Sequence, residues 1–226
     1  MRALSKFKSF FVPPGIKPRR ILAGPFKGIE MNLSLEGQAQ IYAGLFEKET
    51  HPWVRRLSRD LGTAIDIGAA HGEYTLFFLK KTKARKIYAF EPDISWLPVL
   101  HENLRLNGFD SSERLDLSTK FVGVSDSGSE TRLDSLADSI QSPCLVKVDV
   151  DGAEEQILVG AKKLNTRPGV RWLIETHSAA LEAACVNLLS SAGFRTRIIR
   201  NAWWRVLIPE LRPIAHNRWL AAWKAE

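Results

Sequence analysis

Cysteine is scarce in this chain: two among 226 residues, Cys144 and Cys185. They stand far apart and outside any Cys-x-x-Cys pattern, which argues against a disulfide framework or a thiolate zinc site and fits a reducing cytoplasm. Long hydrophobic runs are missing too. None approaches the ~20 residues that a membrane-spanning helix needs, and the apolar positions near the N-terminus are too interrupted for a cleavable signal. A Gly-x-Gly-x-x-Gly turn is also absent, which weakens any reading that needs a dinucleotide pyrophosphate cradle.

Charge of one sign is abundant only locally. The formal net charge is +7. Arg2, Lys6, Lys8, Lys17, Arg19 and Arg20 lie in the first twenty residues with no acid among them, and without these six the rest holds 26 basic against 25 acidic residues. The basic character therefore belongs to an arm, 1–20, that also carries Leu4, Phe7, Phe10 and Phe11 before Pro13-Pro14-Gly15. Two readings of the arm stand: a basic amphipathic contact with a membrane surface, or a packed or disordered arm, which is preferred. Length suits one α/β domain and is short for two. Residues 21–62 form an N-terminal hairpin and helical cap, and 63–226 a Rossmann-like domain, the whole making one compact unit.

The organising stretch runs from Thr63 to Tyr74 (TAIDIGAAHGEY). The apolar run 64–67 has the length of a buried strand, Gly68 and Gly72 break it, and an apolar helical pattern follows over 74–79. Such a turn lets the backbone approach a ligand and offers free helix N–H groups. Asp66, Gly68, Ala69, Ala70, Gly72 and Tyr74 are its candidate cofactor residues. A second strand, 86–90, ends in Glu91-Pro92-Asp93. An acid at this distance from the glycines can accept both ribose hydroxyls of a nucleoside cofactor. The spacing Gly-x-x-x-Gly favours a nucleoside joined to an amino acid, and so S-adenosylmethionine over NAD.

The remaining chain supplies strands and helices in alternation. A β-hairpin is expected over 21–35, and helices around 41–46 and 53–57. Another helix should end near Asn107-Gly108. A strand is expected over 114–126, placing Val124 and Ser125 beside the adenine. The strand beginning at Cys144 ends in Asp149-Val150-Asp151-Gly152, with Glu154 and Glu155 after it. Asp151 and Glu154 have capping-box spacing and read as the start of a helix, whereas Asp149 has no such local explanation and faces the topological switch point. The strand from Val170 ends in Glu175-Thr176-His177, at the same rim. A helix over 181–189, a strand over 194–200 and a last, antiparallel strand over 219–223 complete the pattern. Between the last two strands, Trp204, Arg212 and His216 are candidate acceptor contacts, with His216 a second candidate base; simple surface packing is the competing explanation.

Five ordered motifs carry a family resemblance: Asp66-Ile67-Gly68-Ala69, Phe90-Glu91-Pro92, Leu133-Asp134-Ser135-Leu136, the run from Val146 to Glu154, and Ile174-Glu175. Over 27–193 the chain resembles FkbM-type S-adenosylmethionine-dependent methyltransferases. The resemblance implies an α/β, Rossmann-like class I methyltransferase fold: a seven-stranded, mostly parallel sheet with an antiparallel last strand and helices on both faces. It also implies O-methylation of a hydroxyl on a sugar or glycan, a polyketide or a lipid. The chain departs from the family at Ala70, where Asn is usual, at Asp151, where Glu is usual, and at Glu73, where an aromatic is common.

Methyl transfer needs an acceptor held in line and a base for its proton. Asp149 and His177 are the candidate bases, with Glu175 orienting the acceptor or His177. The same three residues could hold one divalent ion, since carboxylate oxygens suit Mg²⁺; the metal-free site is preferred. A nucleic-acid methyltransferase is the competing enzyme, but methylation of base amino groups usually brings an Asn/Asp-Pro-Pro-aromatic motif where this chain has Asp149-Val150-Asp151-Gly152. A non-catalytic cofactor-binding scaffold and, more distantly, an NAD oxidoreductase are the remaining classes.

Overall fold

The computed structural model describes residues 15–201 and 216–224. The expected contacts of Trp204 and Arg212, and the arm before Gly15, lie outside them. The chain opens with β1 (Ile16–Arg20) and β2 (Glu30–Ser34), which pair antiparallel. The hairpin thus begins earlier than the expected 21–35, inside the stretch read as an arm. No periodicity announced β1, because its residues are mostly exposed and include Pro18, tolerable only on an edge. Ladder bonds and the Arg20–Glu30 pair at 2.6 Å hold it. Helices α1 (Leu35–Ala43) and α2 (His51–Leu57) follow.

The central sheet then builds by alternation: β3 (Thr63–Ile67), α3 (Glu73–Lys81), β4 (Lys86–Phe90), α4 (Leu97–Leu106) and β5 (Leu115–Ser118). The strand expected over 114–126 is split. After β5 the chain leaves the sheet, and β6 (Phe121–Val122) pairs with β7 (Glu130–Thr131) in a separate small ribbon. A 3₁₀ helix, Leu133–Ser139, leads into β8 (Cys144–Val148). Two short helices come next, α5 (Glu154–Val159) and α6 (Lys162–Thr166), then β9 (Val170–Thr176), α7 (Ala179–Ser191), β10 (Arg195–Ile199) and β11 (Arg218–Trp223).

The seven-stranded sheet has the order β10-β11-β9-β8-β3-β4-β5. β11 runs antiparallel to both neighbours, while the β9–β8–β3–β4–β5 pairs are parallel. The strand order reverses direction between β3 and β8, the switch point beyond whose carboxyl ends open α/β sheets bind their ligands.

Strand alternation sorts side chains onto two faces. Ala64, Leu145, Leu173 and Ala221 belong to a core shared with Met31, Leu57, Leu76 and Leu104, under the hairpin and α2, α3 and α4. Ile65, Val146, Ile174 and Ala222 pack instead with Ile157, Leu164, Cys185 and Leu189 from α5, α6 and α7. Both cysteines are free and buried. By the same alternation Asp66, Lys147, Asp149 and Glu175 share the first face. No helix among the described residues is long and apolar enough to cross a membrane.

The capping box expected from Asp151 and Glu154 does not form. Ala153 occupies the N-cap of α5 with no side-chain cap, and Glu154 is the first helical residue. The helix ends at its C-cap, Gly160, and a separate one starts at Lys162. A Cβ at Gly160 would overlap the carbonyl oxygen of Gly123, so only glycine permits the β6 segment to approach.

Candidate active site

The glycine turn sits directly on the end of β3. Gly68 and Ala69 donate their N–H groups to the Phe90 carbonyl at 2.9 and 3.0 Å, folding the chain toward β4. Gly68 has φ +78°, and a Cβ there would overlap the carbonyl oxygen of Asp149, so the turn closes against β8 only because the residue is glycine. Ala70 adopts φ +44° without that freedom. Its N–H donates to Glu91 Oε2 at 2.7 Å, and Asp93 N–H donates to Glu91 Oε1 at 2.9 Å. Each oxygen of Glu91 is thereby fixed by one backbone donor and retains a lone pair for a further donor. Beyond Pro92 and Asp93, Ile94 is 71% exposed. The rings of His71 and Trp96 lie 4.5 Å apart at the mouth of the turn.

Val124 and Ser125 are not at the end of a sheet strand. Glu130 Oε1 accepts from Val124 N–H at 2.7 Å and from Ser125 N–H at 3.1 Å, and Ser125 Oγ donates to Oε2. The residue level with Glu91 is Ser118, whose carbonyl accepts from Glu91 N–H at 3.0 Å. The sequence signal for it was the polar end of the 115–118 run, obscured by the alternating residues that continue past it.

Beneath the turn lies a buried charge group. Asp66 is fully buried, accepts from Thr75 Oγ1 at 2.6 Å, and lies 3.2 Å from Lys147 Nζ. Lys147 is 3% exposed, donates to the Gly68 carbonyl at 2.8 Å, and comes within 3.7 Å of Asp149 Oδ2. Burial by itself would lower the Lys147 pKa, but Asp66, Asp149 and Glu47 outweigh it and hold the ammonium above its usual range. Tyr74 lies under this ammonium, its hydroxyl donating to Glu47 Oε2 at 3.0 Å. Asp66 and Tyr74 thus serve the interior of the site. Glu73 stands beside His71, and burial raises its pKa. Lys147 and Glu47 were not singled out in the sequence; the only hint of Lys147 was a charge inside an otherwise apolar strand.

Asp149, Glu175 and His177 come together at the rim. Val148 and Ile174 are register partners across β8 and β9, so Asp149, the first residue after β8, stands level with Glu175 of β9. One ligand-type atom from each of the three residues lies within 4.8 Å of the others. Glu175 is 6% exposed, and burial beside Asp149 holds its carboxyl protonated far above the usual range. His177 Nδ1 lies 2.6 Å from Oε1 of the fully buried Glu154. Chiefly through that bond, the imidazole pKa is raised. Glu154, explained from sequence as half of a helix cap, is therefore the partner that orients His177. His216 faces elsewhere: its Nε2 lies 3.5 Å from Glu182, which also accepts from Arg218 at 2.6 Å.

No protein-family model matches the chain, and neither does any curated protein sequence. Solved structures share its fold. The FkbM methyltransferase of Methylobacillus flagellatus is 19% identical with a TM-score of 0.57, over 73% of this chain and 44% of that one. An rRNA methylase from Streptococcus thermophilus is 15% identical with a TM-score of 0.54, over 79% and 97%. A Streptococcus mutans protein solved in complex with SAH is 14% identical with a TM-score of 0.53, over 79% and 97%. At such identities the likeness establishes the Rossmann-like methyltransferase fold, and the chain spans less than half of the FkbM protein.

Proposed function

We propose that this chain is an S-adenosylmethionine-dependent O-methyltransferase acting on a hydroxyl of a sugar or glycan, a lipid or another small molecule. One observation carries the reading: an acid fixed for ribose, Glu91, and a carboxylate–imidazole group, Asp149, Glu175 and His177, open on the same rim of a sheet with this strand order. The residues fit the cofactor. Gly68 lets the turn close against the end of β8, Glu91 offers two positioned acceptors, and the exposed Ile94 offers an apolar surface for a base. The neighbours' shared fold and the SAH carried by one of them support the same cofactor. When bound, S-adenosylmethionine supplies an activated methyl group on a sulfonium.

The chain's own part is orientation and proton removal. With Nδ1–H given to Glu154, Nε2 of His177 keeps its lone pair toward the rim and can take the hydroxyl proton, the orienting logic of a base held by a buried acid. Protonated Glu175 can donate to the acceptor oxygen or to Asp149, whose carboxylate stabilises the imidazolium that forms. A base so placed contributes roughly 10²–10⁴-fold in rate.

Incubation with methyl-labelled cofactor and a panel of hydroxylated glycans, lipid headgroups, small molecules and an rRNA fragment tests this. Label should appear on a hydroxyl, and Asp149→Ala and His177→Ala should each abolish turnover while leaving cofactor binding nearly intact. Label confined to RNA, or turnover surviving in both variants, contradicts the assignment.

A further inference from the structure

We infer that Asp149, Glu175 and His177 form a site for one divalent cation at the rim of the sheet. The spacing is the first argument. Nε2 of His177 lies 3.7 Å from Glu175 Oε2, 3.7 Å from Asp151 Oδ1 and 3.9 Å from Asp149 Oδ1. A hydrogen-bonded imidazole would stand near 2.9 Å from one acceptor, whereas here three carboxylates surround it at nearly equal, longer distances. Ligands about 2.1 Å from an octahedral cation stand about 3.0 Å apart when adjacent and about 4.2 Å apart when opposite. The separations of Nε2 from Glu175 and Asp149 fall inside that interval.

Orientation is the second argument. Glu154 engages Nδ1 at 2.6 Å, which leaves Nε2 as the atom facing the three acids. A carboxylate behind a metal-binding histidine fixes the ring and raises its basicity. Both residues that the sequence assigned to a helix cap are thus available: Asp151 beside Nε2, and Glu154 behind the ring.

Charge is the third. Four carboxylates, those of Asp149, Asp151, Glu154 and Glu175, meet the imidazole and one lysine, Lys147, which is already shared with Asp66. The Glu175 side chain is 8% exposed, and its one neighbouring hydrogen-bonding group among those that shape it is another carboxylate, Asp149. A cation between these two carboxyl groups would offset the local surplus of acids. Two carboxyl oxygens and one imidazole nitrogen suit an ion such as Mn²⁺ or Mg²⁺, with coordination positions left for water or a substrate oxygen.

The role deepens the methyl-transfer reading and rests on it. The acceptor hydroxyl oxygen would coordinate the cation, its O–H would be acidified, and the proton would leave through the exposed Asp151 carboxylate to solvent. His177 is then a ligand.

Purified full chain, stripped with chelator, is titrated with Mn²⁺ while the signal of the free ion is followed by electron paramagnetic resonance. One bound ion per chain is expected, displaced by Mg²⁺. Glu175→Gln and His177→Ala should each weaken it at least tenfold, and Glu154→Gln by about 10–100-fold. Thermal unfolding in chelator checks that each variant is folded, and Mn²⁺ should raise the midpoint of the wild type alone. No saturable binding at millimolar Mn²⁺, or binding equal in all three variants, overturns the site. Titration with S-adenosylhomocysteine in chelator separates this from the functional reading: cofactor binding without Mn²⁺ binding refutes the cation alone, and Mn²⁺ binding without cofactor binding refutes methyl transfer.

Discussion

Replacing Lys147 by Met should destabilise the chain by about 3–5 kcal/mol, the usual cost of leaving one member of a buried ion pair uncompensated. The structure sets the size. Nζ lies 3.2 Å from Asp66 Oδ1, with side chains 3% and 0% exposed. At an effective dielectric near 20, unit charges at that distance attract by about 5 kcal/mol, and the Gly68 carbonyl loses a charge-assisted bond worth about 1.5–3 kcal/mol, both partly offset by relief of lysine desolvation. Asp66 keeps Thr75 as a donor, which stops the loss from growing further. Urea unfolding followed by circular dichroism measures it: with a slope of about 3 kcal/mol/M, the midpoint should fall by about 1–1.7 M. The double variant Lys147→Met/Asp66→Asn should recover at least half of the loss, because the stranded charge is gone. A loss under about 1 kcal/mol, or a double variant whose losses simply add, would refute the reasoning that the pair is electrostatically coupled.

Ala70→Gly should raise the melting temperature by about 2–4 °C, since glycine relieves a left-handed conformation that costs alanine about 1 kcal/mol; differential scanning calorimetry reads it. Gly68→Ala should do the reverse, losing about 3 kcal/mol or more as its Cβ meets the Asp149 carbonyl, measured by the same urea midpoint. Glu175 has a raised folded pKa, so wild type loses stability as pH climbs above the unfolded carboxyl value of about 4.3. Glu175→Gln in chelator should therefore be more stable than wild type at pH 8 by at least about 1 kcal/mol, with the gap closing toward pH 4. The raised His177 pKa works through a base: its stabilisation is complete below the unfolded value of about 6.5 and is lost as pH rises through the folded value. Glu154→Gln should lower that folded pKa, which imidazole NMR titration would show directly.

Much of the sheet was legible because its strands are short apolar runs ended by glycine or acid. The runs ending at Ile67, Phe90, Val148 and Thr176 carry enough apolar residues to identify them, and register then brings Asp149 and Glu175 level. Strand β1 was not legible, because an exposed edge strand has no buried face to impose alternation. The split after Ser118 was hidden by polar alternation continuing through a segment that pairs elsewhere. The roles of Asp151 and Glu154 were misread because local spacing satisfied a capping box, while the competing partner, His177, lies 23 residues from Glu154 and reaches it only through the tertiary fold. Lys147 was obscured for the same reason: a lysine in a strand interior makes sense only once Asp66 is its cross-strand partner.

The central claim is that the crevice beside Glu91 binds an adenosyl cofactor. Calorimetric titration of the wild type and of Glu91→Ala with S-adenosylmethionine, S-adenosylhomocysteine and NADH tests it most directly. The structure predicts binding of the two adenosyl ligands and not of NADH, weakened at least tenfold, or about 1.4 kcal/mol, by the substitution. Failure of both adenosyl ligands to bind the folded wild type, or equal binding by the variant, would contradict it.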